Sequence, residues 1–306
     1  MLSAQSHLEF GGGLLQSTVF LERRFRTHLV RRDRLVFDSA YASPAKRSTG
    51  FVHLFAQLSG TFTIAGSRPL AGPCAFVLAE TEFDRVVPGA LTFRSTGARC
   101  SIVETRFRTE DLRWPVGLVH GPIALGDEVW AAYRALEATR AEPAVHELIT
   151  ALGATGLLSR ELTASVVTTE PERFRRLWAV MSPLYQRLAT SATLKQIASL
   201  TDLSLRQLGR DLADLTRTFQ LFGAGFRDAM RVLRLRAAVL LLSAPDATPS
   251  DVAKTVGYGS LDAMGRAFRD ARLPPPSVVQ SAVRFRHPAD PAKPAESAES
   301  APAEPM

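Results

Sequence analysis

The sequence predicts an α+β protein in two parts: an N-terminal small β-barrel or jelly roll with helices, and a C-terminal all-α domain of two helix-turn-helix units. Three observations carry this. Between Phe51 and Phe107 short apolar, β-branched and aromatic runs are punctuated by Gly and Pro, the pattern of strands. From Asp127 onward the apolar spacing becomes helical. Finally, Ser204-Leu205-Arg206-Gln207-Leu208-Gly209-Arg210-Asp211-Leu212 recurs as Ser260-Leu261-Asp262-Ala263-Met264-Gly265-Arg266-Ala267-Phe268, with Ser, Leu, Gly and Arg identical. The length of 306 residues suits two domains, and 46% hydrophobic residues suffices for ordinary cores.

Residues 1–45 show no clear period. Gly11-Gly12-Gly13 reads as flexible, and Arg23-Arg24, Arg26 and Arg31-Arg32 as a basic stretch, either a solvated surface or an arm that touches DNA or a partner. Phe51–Leu58 and Thr61–Ile64 read as a hairpin turning at Ser59-Gly60. Ala75–Leu78 follows the Ala71-Gly72-Pro73 turn, and Ser101–Phe107 closes the strand region. Cys74 and Cys100 lie far from any metal-ligand spacing, which fits a reducing compartment without a disulfide framework. His7, His28, His53, His120, His146 and His287 are scattered, so no metal site and no catalytic residue is assigned, and no cofactor is expected.

Helices follow. Val129, Trp130, Tyr133 and Leu136 form one stripe, and Leu148, Leu152 and Leu157-Leu158 continue it. A further helix should start at Thr169, with Glu172 completing a capping box, and carry Phe174, Leu177, Trp178 and Met181 on one face; Pro183 should kink or restart it. The expected division is a sensor or regulatory domain over 1–165, a helical linker over 166–190, the paired helix-turn-helix units over 191–285, and a disordered tail of Pro, Ala, Glu and Ser over 286–306.

Capping chemistry sets the bounds inside the repeat. Thr193 with Gln196 is a capping box, and Ser204 with Gln207 repeats it. In the second unit Thr248 caps, Pro249 suits the first helical position and Asp251 favours the positive helix end. Asp202 and Gly257 carry the turns. Apolar residues at 205, 208, 212 and 215 should be buried, leaving Arg206, Gly209, Arg210 and Ala213 outward. The same spacing buries Met264, Ala267, Phe268 and Ala271, with Asp262, Gly265, Arg266 and Arg269 outward. Phe226–Leu242 reads as the helix that joins the units.

Gly223-Ala224-Gly225, Met230, Leu233-Arg234-Leu235, Ala238, Leu241-Leu242, Val252-Ala253, Gly257-Tyr258, Met264, Arg266, Phe268-Arg269 and Pro275-Pro276 together resemble the signature of the AraC/XylS family of bacterial transcription regulators. Phe226 and Ala229 stand where that family usually has Pro and Tyr, and extra residues separate Leu208 from Leu233. The resemblance implies a cupin-like sensor domain and sequence-specific reading of two successive major-groove segments. Its implied DNA-binding residues are Arg206, Gln207, Gly209, Arg210, Leu261, Asp262, Gly265, Arg266 and Arg269. Double-stranded DNA is the implied partner; RNA polymerase, a small-molecule effector and a second copy in a homodimer are further candidates.

The charge agrees with this placement. The chain has a formal net charge of +7; residues 190–286 hold 14 Lys plus Arg against 8 Asp plus Glu, a net of +6. Phosphate neutralisation needs such local positive charge. No apolar run approaches the ~20 residues of a membrane helix, so no membrane association is expected and the cytoplasm is the expected location. Two rival readings are an interaction protein whose degenerate helix-turn-helix has lost DNA binding, and a cupin-type metal enzyme.

Overall fold

A computed structural model describes residues 1–41, 50–64, 70–79, 93–114, 122–164, 170–187, 193–219, 221 and 226–284. The N-terminal part is an antiparallel sheet. Its strands are β1 Leu2–Phe10, β2 Gly13–Leu21, β3 Phe25–Asp33, β4 Phe37–Asp38, β5 Phe51–Ile64, β6 Leu70–Ala71, β7 Cys74–Ala79 and β8 Phe93–Arg108. The order is β1-β2-β3-β8-β5-β6, with β4 pairing on β8 and β7 on β5.

The first three strands give residues 2–33 a regular structure, and they correct the reading of Gly11-Gly12-Gly13 as flexible and of the basic stretch as a solvated surface or an arm. Gly11 and Gly12, both at positive φ (54° and 75°), close a two-residue hairpin in which Phe10 pairs with Gly13. Only residues tolerant of positive φ fit such a turn. The basic stretch is built into the sheet: Arg26 and Arg32 are each 3% exposed. Arg23 pairs with Glu170 at 3.1 Å, and Arg24 with Asp111. The expected turn at Ser59-Gly60 is also corrected, because β5 runs through it. Its register against β8 slips between Gln57 and Thr61, and Gly60 takes φ 86°. From Gln57–Ile102 to Thr61–Thr96 one strand advances four residues and the other six, and such unpaired residues beside a permissive glycine bend a long strand without ending it.

Helices α1 Asp127–Thr139 and α2 Glu142–Ala154 cover one face of this sheet, with short α3 Arg160–Ala164 after them. Alternation sends Phe20, Phe25, Leu29, Val52, Leu54, Val103 and Phe107 to that side, where they meet Val129, Tyr133, Leu136, Leu148 and Leu152. The opposite face is also covered. There the sheet meets the C-terminal helices: α4 Glu172–Gln186, α5 Leu194–Thr201, α6 Leu205–Thr218, α7 Phe226–Leu241, α8 Pro249–Thr255, α9 Leu261–Asp270 and α10 Pro276–Arg284.

Two cores form on that side. Leu2, Ala4 and Leu21 join Phe174, Leu177 and Trp178 of α4, Ile197 of α5 and Leu208, Leu212 and Leu215 of α6. Leu35, with the partly buried Leu8, Phe10 and Leu15, joins Leu235 of α7, Val252 of α8, Met264 and Phe268 of α9, and Val279 and Val283 of α10. A single hairpin thus supports both helical units. Hydrogen bonds pin it: Trp178 Nε1 donates to Ser3 O at 2.7 Å and Asp246 N to Gly11 O at 3.0 Å, while after β3 Val36 N donates to Ser243 Oγ at 2.9 Å. A Cβ on Gly11 would lie 2.9 Å from Ala247 N, so the turn seats directly on the loop after α7.

Helix α4 buries Phe174, Leu177, Trp178 and Met181 as their spacing requires. It begins at Glu172 with Pro171 at the N-cap position and no side-chain cap; Thr169 lies outside the described residues. Pro183 falls within the helix, which continues to Gln186. The Gly223-Ala224-Gly225 run, His120, His287 and the tail after Arg284 also lie outside the described residues.

Candidate nucleic-acid interface

The first unit is α5, a tight turn and α6. Thr193 and Gln196 cap α5 reciprocally, with Gln196 N donating to Thr193 Oγ1 at 3.2 Å and Thr193 N to Gln196 Oε1 at 2.8 Å. Asp202 ends the helix in the left-handed region at φ 54°. Ser204 caps α6 by accepting from Gln207 N at 3.2 Å. The expected return bond from the Gln207 side chain is not made. That amide donates to Asp211 Oδ1 at 2.8 Å and accepts from Arg210 Nη2 instead.

The second unit repeats the design. Thr248 Oγ1 accepts from Asp251 N at 3.2 Å, Gly257 turns at φ 84°, and Ser260 Oγ accepts from Ala263 N at 3.1 Å. Each Ser satisfies an N–H that the first helical turn leaves unpaired.

Burial then decides which faces are presented. On α6, Leu208, Leu212 and Leu215 are buried while Arg206, Gly209, Arg210 and Ala213 are exposed. Leu205 departs from expectation: it is 51% exposed, because at the first helical position it projects past the core that its stripe enters one turn later. On α9, Met264 and Phe268 are fully buried and Ala271 nearly so; Ala267 is half-buried. Asp262, Arg266 and Arg269 are exposed, Leu261 is 39% exposed, and Gly265 is half-buried.

The two matched glycines are informative. A Cβ built on Gly209 or on Gly265 would meet nothing within 4 Å. Glycine inside a helix costs about 0.8–1.0 kcal/mol relative to Ala. Nothing in the described fold requires that cost at either position. A helix side stripped of its Cβ suits close approach by something outside the chain, and both copies place an Arg immediately after that glycine.

Around α9 the surface is concave. A groove of about 580 Å³ is lined by Leu261, Asp262, Gly265, Arg266 and Arg269, with Pro275 and Ser277 at the start of α10. Arg206, Arg266 and Arg269 make no side-chain hydrogen bond or ion pair among the described residues, so their guanidinium groups are available to a ligand. Arg217 is engaged instead, pairing with Asp214 at 3.2 Å.

A polar cluster lies on the sheet face that meets the helices, and sequence spacing gave no sign of it. Glu104 draws in two histidines that are remote in sequence: His53 Nδ1 lies 2.5 Å from its Oε1 and His28 Nδ1 4.0 Å from its Oε2, with Arg26 at 3.7 Å. Burial pushes the Glu104 carboxyl up, but the His53 hydrogen bond and the charges of His53, Arg26 and His28 outweigh it and hold the group well below the usual carboxylate range. Burial is also the main cause that lowers His28 to about 4, opposed by Glu104 and reinforced by Arg26, Arg236 and Arg32. Arg236 belongs to α7, so a charge from the helix between the two units reaches His28. Among the described residues no group of three His, Cys, Asp or Glu is placed to hold a metal ion, and no helix is long and apolar enough to cross a membrane.

Two capped helices presenting matched glycine–arginine faces, each behind a tight turn, define a DNA-binding helix-turn-helix protein, the class of a transcription regulator. Residues 204–282, from α6 to α10, match a family model described as a helix-turn-helix domain, and this region is a helix-turn-helix domain of the AraC type. A comparison with the curated proteins gave no match. Among solved structures, ToxT from Vibrio cholerae is similar over 84% of this chain and 98% of its own, at 10% identity and a TM-score of 0.35. ToxT bound to (E)-4-(8-methylnaphthalen-1-yl)but-3-enoic acid gives 10% identity and a TM-score of 0.36 over 84% and 98% of the two chains. The AraC-like transcriptional activator CuxR gives 14% identity and a TM-score of 0.31 over 80% and 86%.

Proposed function

We propose that this transcription regulator reads a specific DNA sequence through both units, α6 and α9 entering successive major-groove segments while the sheet holds them in fixed relation. The observation that carries this reading is the pair of matched glycines with open space at the Cβ position, each followed by an exposed Arg and neither explained by packing within the chain. Arg210 and Arg266 supply guanidinium forks that match guanine O6 and N7; Arg206 and Arg269 flank them for base or phosphate contact. Gln207, Leu261 and Asp262 complete the faces. Control by a small organic effector belongs to the N-terminal part, where the Glu104 cluster feels the charge of Arg236 on α7.

The test is affinity for a selected duplex against random duplex as salt rises. A reader of DNA loses affinity steeply with salt for both and keeps a preference for the selected site. Exposed Asp262 favours the rival reading, an interaction protein without DNA binding, since it would face phosphates; no measurable binding to any duplex at low salt would establish that rival.

A further inference from the structure

Gln207, Arg210 and Asp211 occupy positions i, i+3 and i+4 of α6 and therefore share one face. Their hydrogen bonds form a chain: Gln207 Nε2 donates to Asp211 Oδ1 at 2.8 Å, and Arg210 Nη2 donates to Gln207 Oε1. The amide has only one orientation that serves both neighbours. A carboxylate accepts and a guanidinium donates, so the NH₂ must meet Asp211 and the oxygen must meet Arg210.

Asp211 is an unexpected residue at its position. It is 5% exposed, flanks the buried Leu208 and Leu212, and makes no ion pair among the described residues. Withdrawing a carboxylate from water is unfavourable unless bonds repay it. The repeat shows that the fold does not demand it: α9 has Ala267 at the equivalent place and Ala263 where α6 has Gln207, with the same capping and the same buried stripe. The acid therefore serves something other than the packing of the unit.

We propose that Asp211 is a positioning residue for DNA reading, acting through Gln207 to hold the Arg210 guanidinium in one pose. One Arg210 N–H is committed to Gln207, and the remaining donors still present a two-pronged edge to a base. Fixing a long flexible side chain before binding removes part of the ordering entropy that contact would otherwise require. It also restricts which base can be met. The second unit has no such chain, so Arg266 approaches DNA unrestrained. This inference rests on the reading that Arg210 faces a base.

The experiment measures full-length protein against a panel of duplexes carrying each base at each position of a selected site. Arg210→Ala should lose roughly 5- to 150-fold of discrimination at one position. Asp211→Ala, which copies the second unit, should lose roughly three- to tenfold at that same position, with random-sequence affinity and salt slope unchanged and an unfolding midpoint no lower than the parent's. In the Arg210→Ala background it should add nothing. The reciprocal variant, Ala263→Gln with Ala267→Asp, should sharpen preference at the position read by Arg266. Asp211→Ala that leaves discrimination intact where Arg210→Ala removes it overturns the positioning role alone. So does a loss spread evenly over all positions, which marks a merely structural residue. Arg210→Ala without effect on any base overturns base reading by the first unit, and the positioning role with it.

Discussion

The two helix-turn-helix units carry one local code in two different settings. Both start their second helices on a Ser cap, bury an apolar stripe and carry a Gly with open space at its Cβ followed by an exposed Arg. Yet α6 runs 14 residues and α9 only 10, which accommodates part of the extra sequence before the linker helix. The first unit rests on α4 and the open end of the β1–β2 hairpin, whereas the second rests on α10 and the hairpin's turn. The difference teaches that capping and periodicity define the unit, while the identity of a few neighbours on the same helix decides how its exposed arginine is held: Gln207 and Asp211 tether Arg210, and Ala263 and Ala267 leave Arg266 untethered.

The largest separation of the units should come from their cores. Phe268→Ala empties a fully buried site and should lower stability by about 3–5 kcal/mol; Leu208→Ala should lower it by about 2–5 kcal/mol. Denaturant unfolding followed by footprinting checks this: each variant should lose protection first at its own end of the bound site, and equal loss at both ends would mean that the units do not read independently.

Next come the arginines. Arg266→Ala should lose about 1–3 kcal/mol of specific binding if it makes a bidentate base contact, relaxing preference at one end only, and Arg210→Ala should do so at the other. The two affected positions should lie about ten base pairs apart. Binding-site selection with each variant decides; both variants altering the same bases would end the paired reading.

Acidification should bear on neither unit in particular, because the Glu104 cluster belongs to the sheet that both units share. His28 is held near 4 in the fold against an ordinary 6.5, so the unfolded chain takes up the proton first as pH falls. Its contribution to stability is complete above pH 6.5 and is lost progressively toward pH 4, by roughly 1–2 kcal/mol at pH 5.5. Glu104 acts in the same direction further down, since its depressed folded value is lost against protonation of the unfolded chain. A melting series from pH 7 to 5 should show a steady fall that flattens in His28→Gln.

The smallest effect carries opposite signs in two assays. Gly209→Ala and Gly265→Ala place a methyl where nothing stands within 4 Å, so each should raise folded stability by about 0.5–1 kcal/mol while weakening DNA binding. A gain in both assays would show that the glycines do not serve close approach.

Much of the C-terminal architecture was legible because its determinants are local. Thr193, Ser204, Thr248 and Ser260 cap helices a few residues away, and Met264 and Phe268 are buried by spacing alone. The β1–β2 hairpin was legible too, in the Gly11-Gly12 pair, but flexibility is the easier reading of a glycine run when the flanking strands mix polar and apolar residues. Ser59-Gly60 misleads in the other direction, since a glycine at positive φ serves a bulge as well as a turn. Arg26 and His28 could not be placed by pattern: their shared partner is Glu104, brought alongside by the pairing of β3 with β8. Gln207 fits a capping box and reaches for Asp211 instead, a competition between two local partners that spacing alone does not resolve.

Strand β1 gives Leu2 and Ala4 to one unit's core and Leu8 and Phe10 to the other's. A β-strand has a nearly fixed rise, so those ends stand about 25 Å apart and cannot drift. On a duplex this amounts to a fixed phase. One base pair inserted between the two recognised segments turns the far one by about 35° around the DNA axis, given 10–10.5 base pairs per turn. A flexible tether would absorb that rotation; a chain braced by a shared hairpin must release one segment, and its footprint should shorten to a single side.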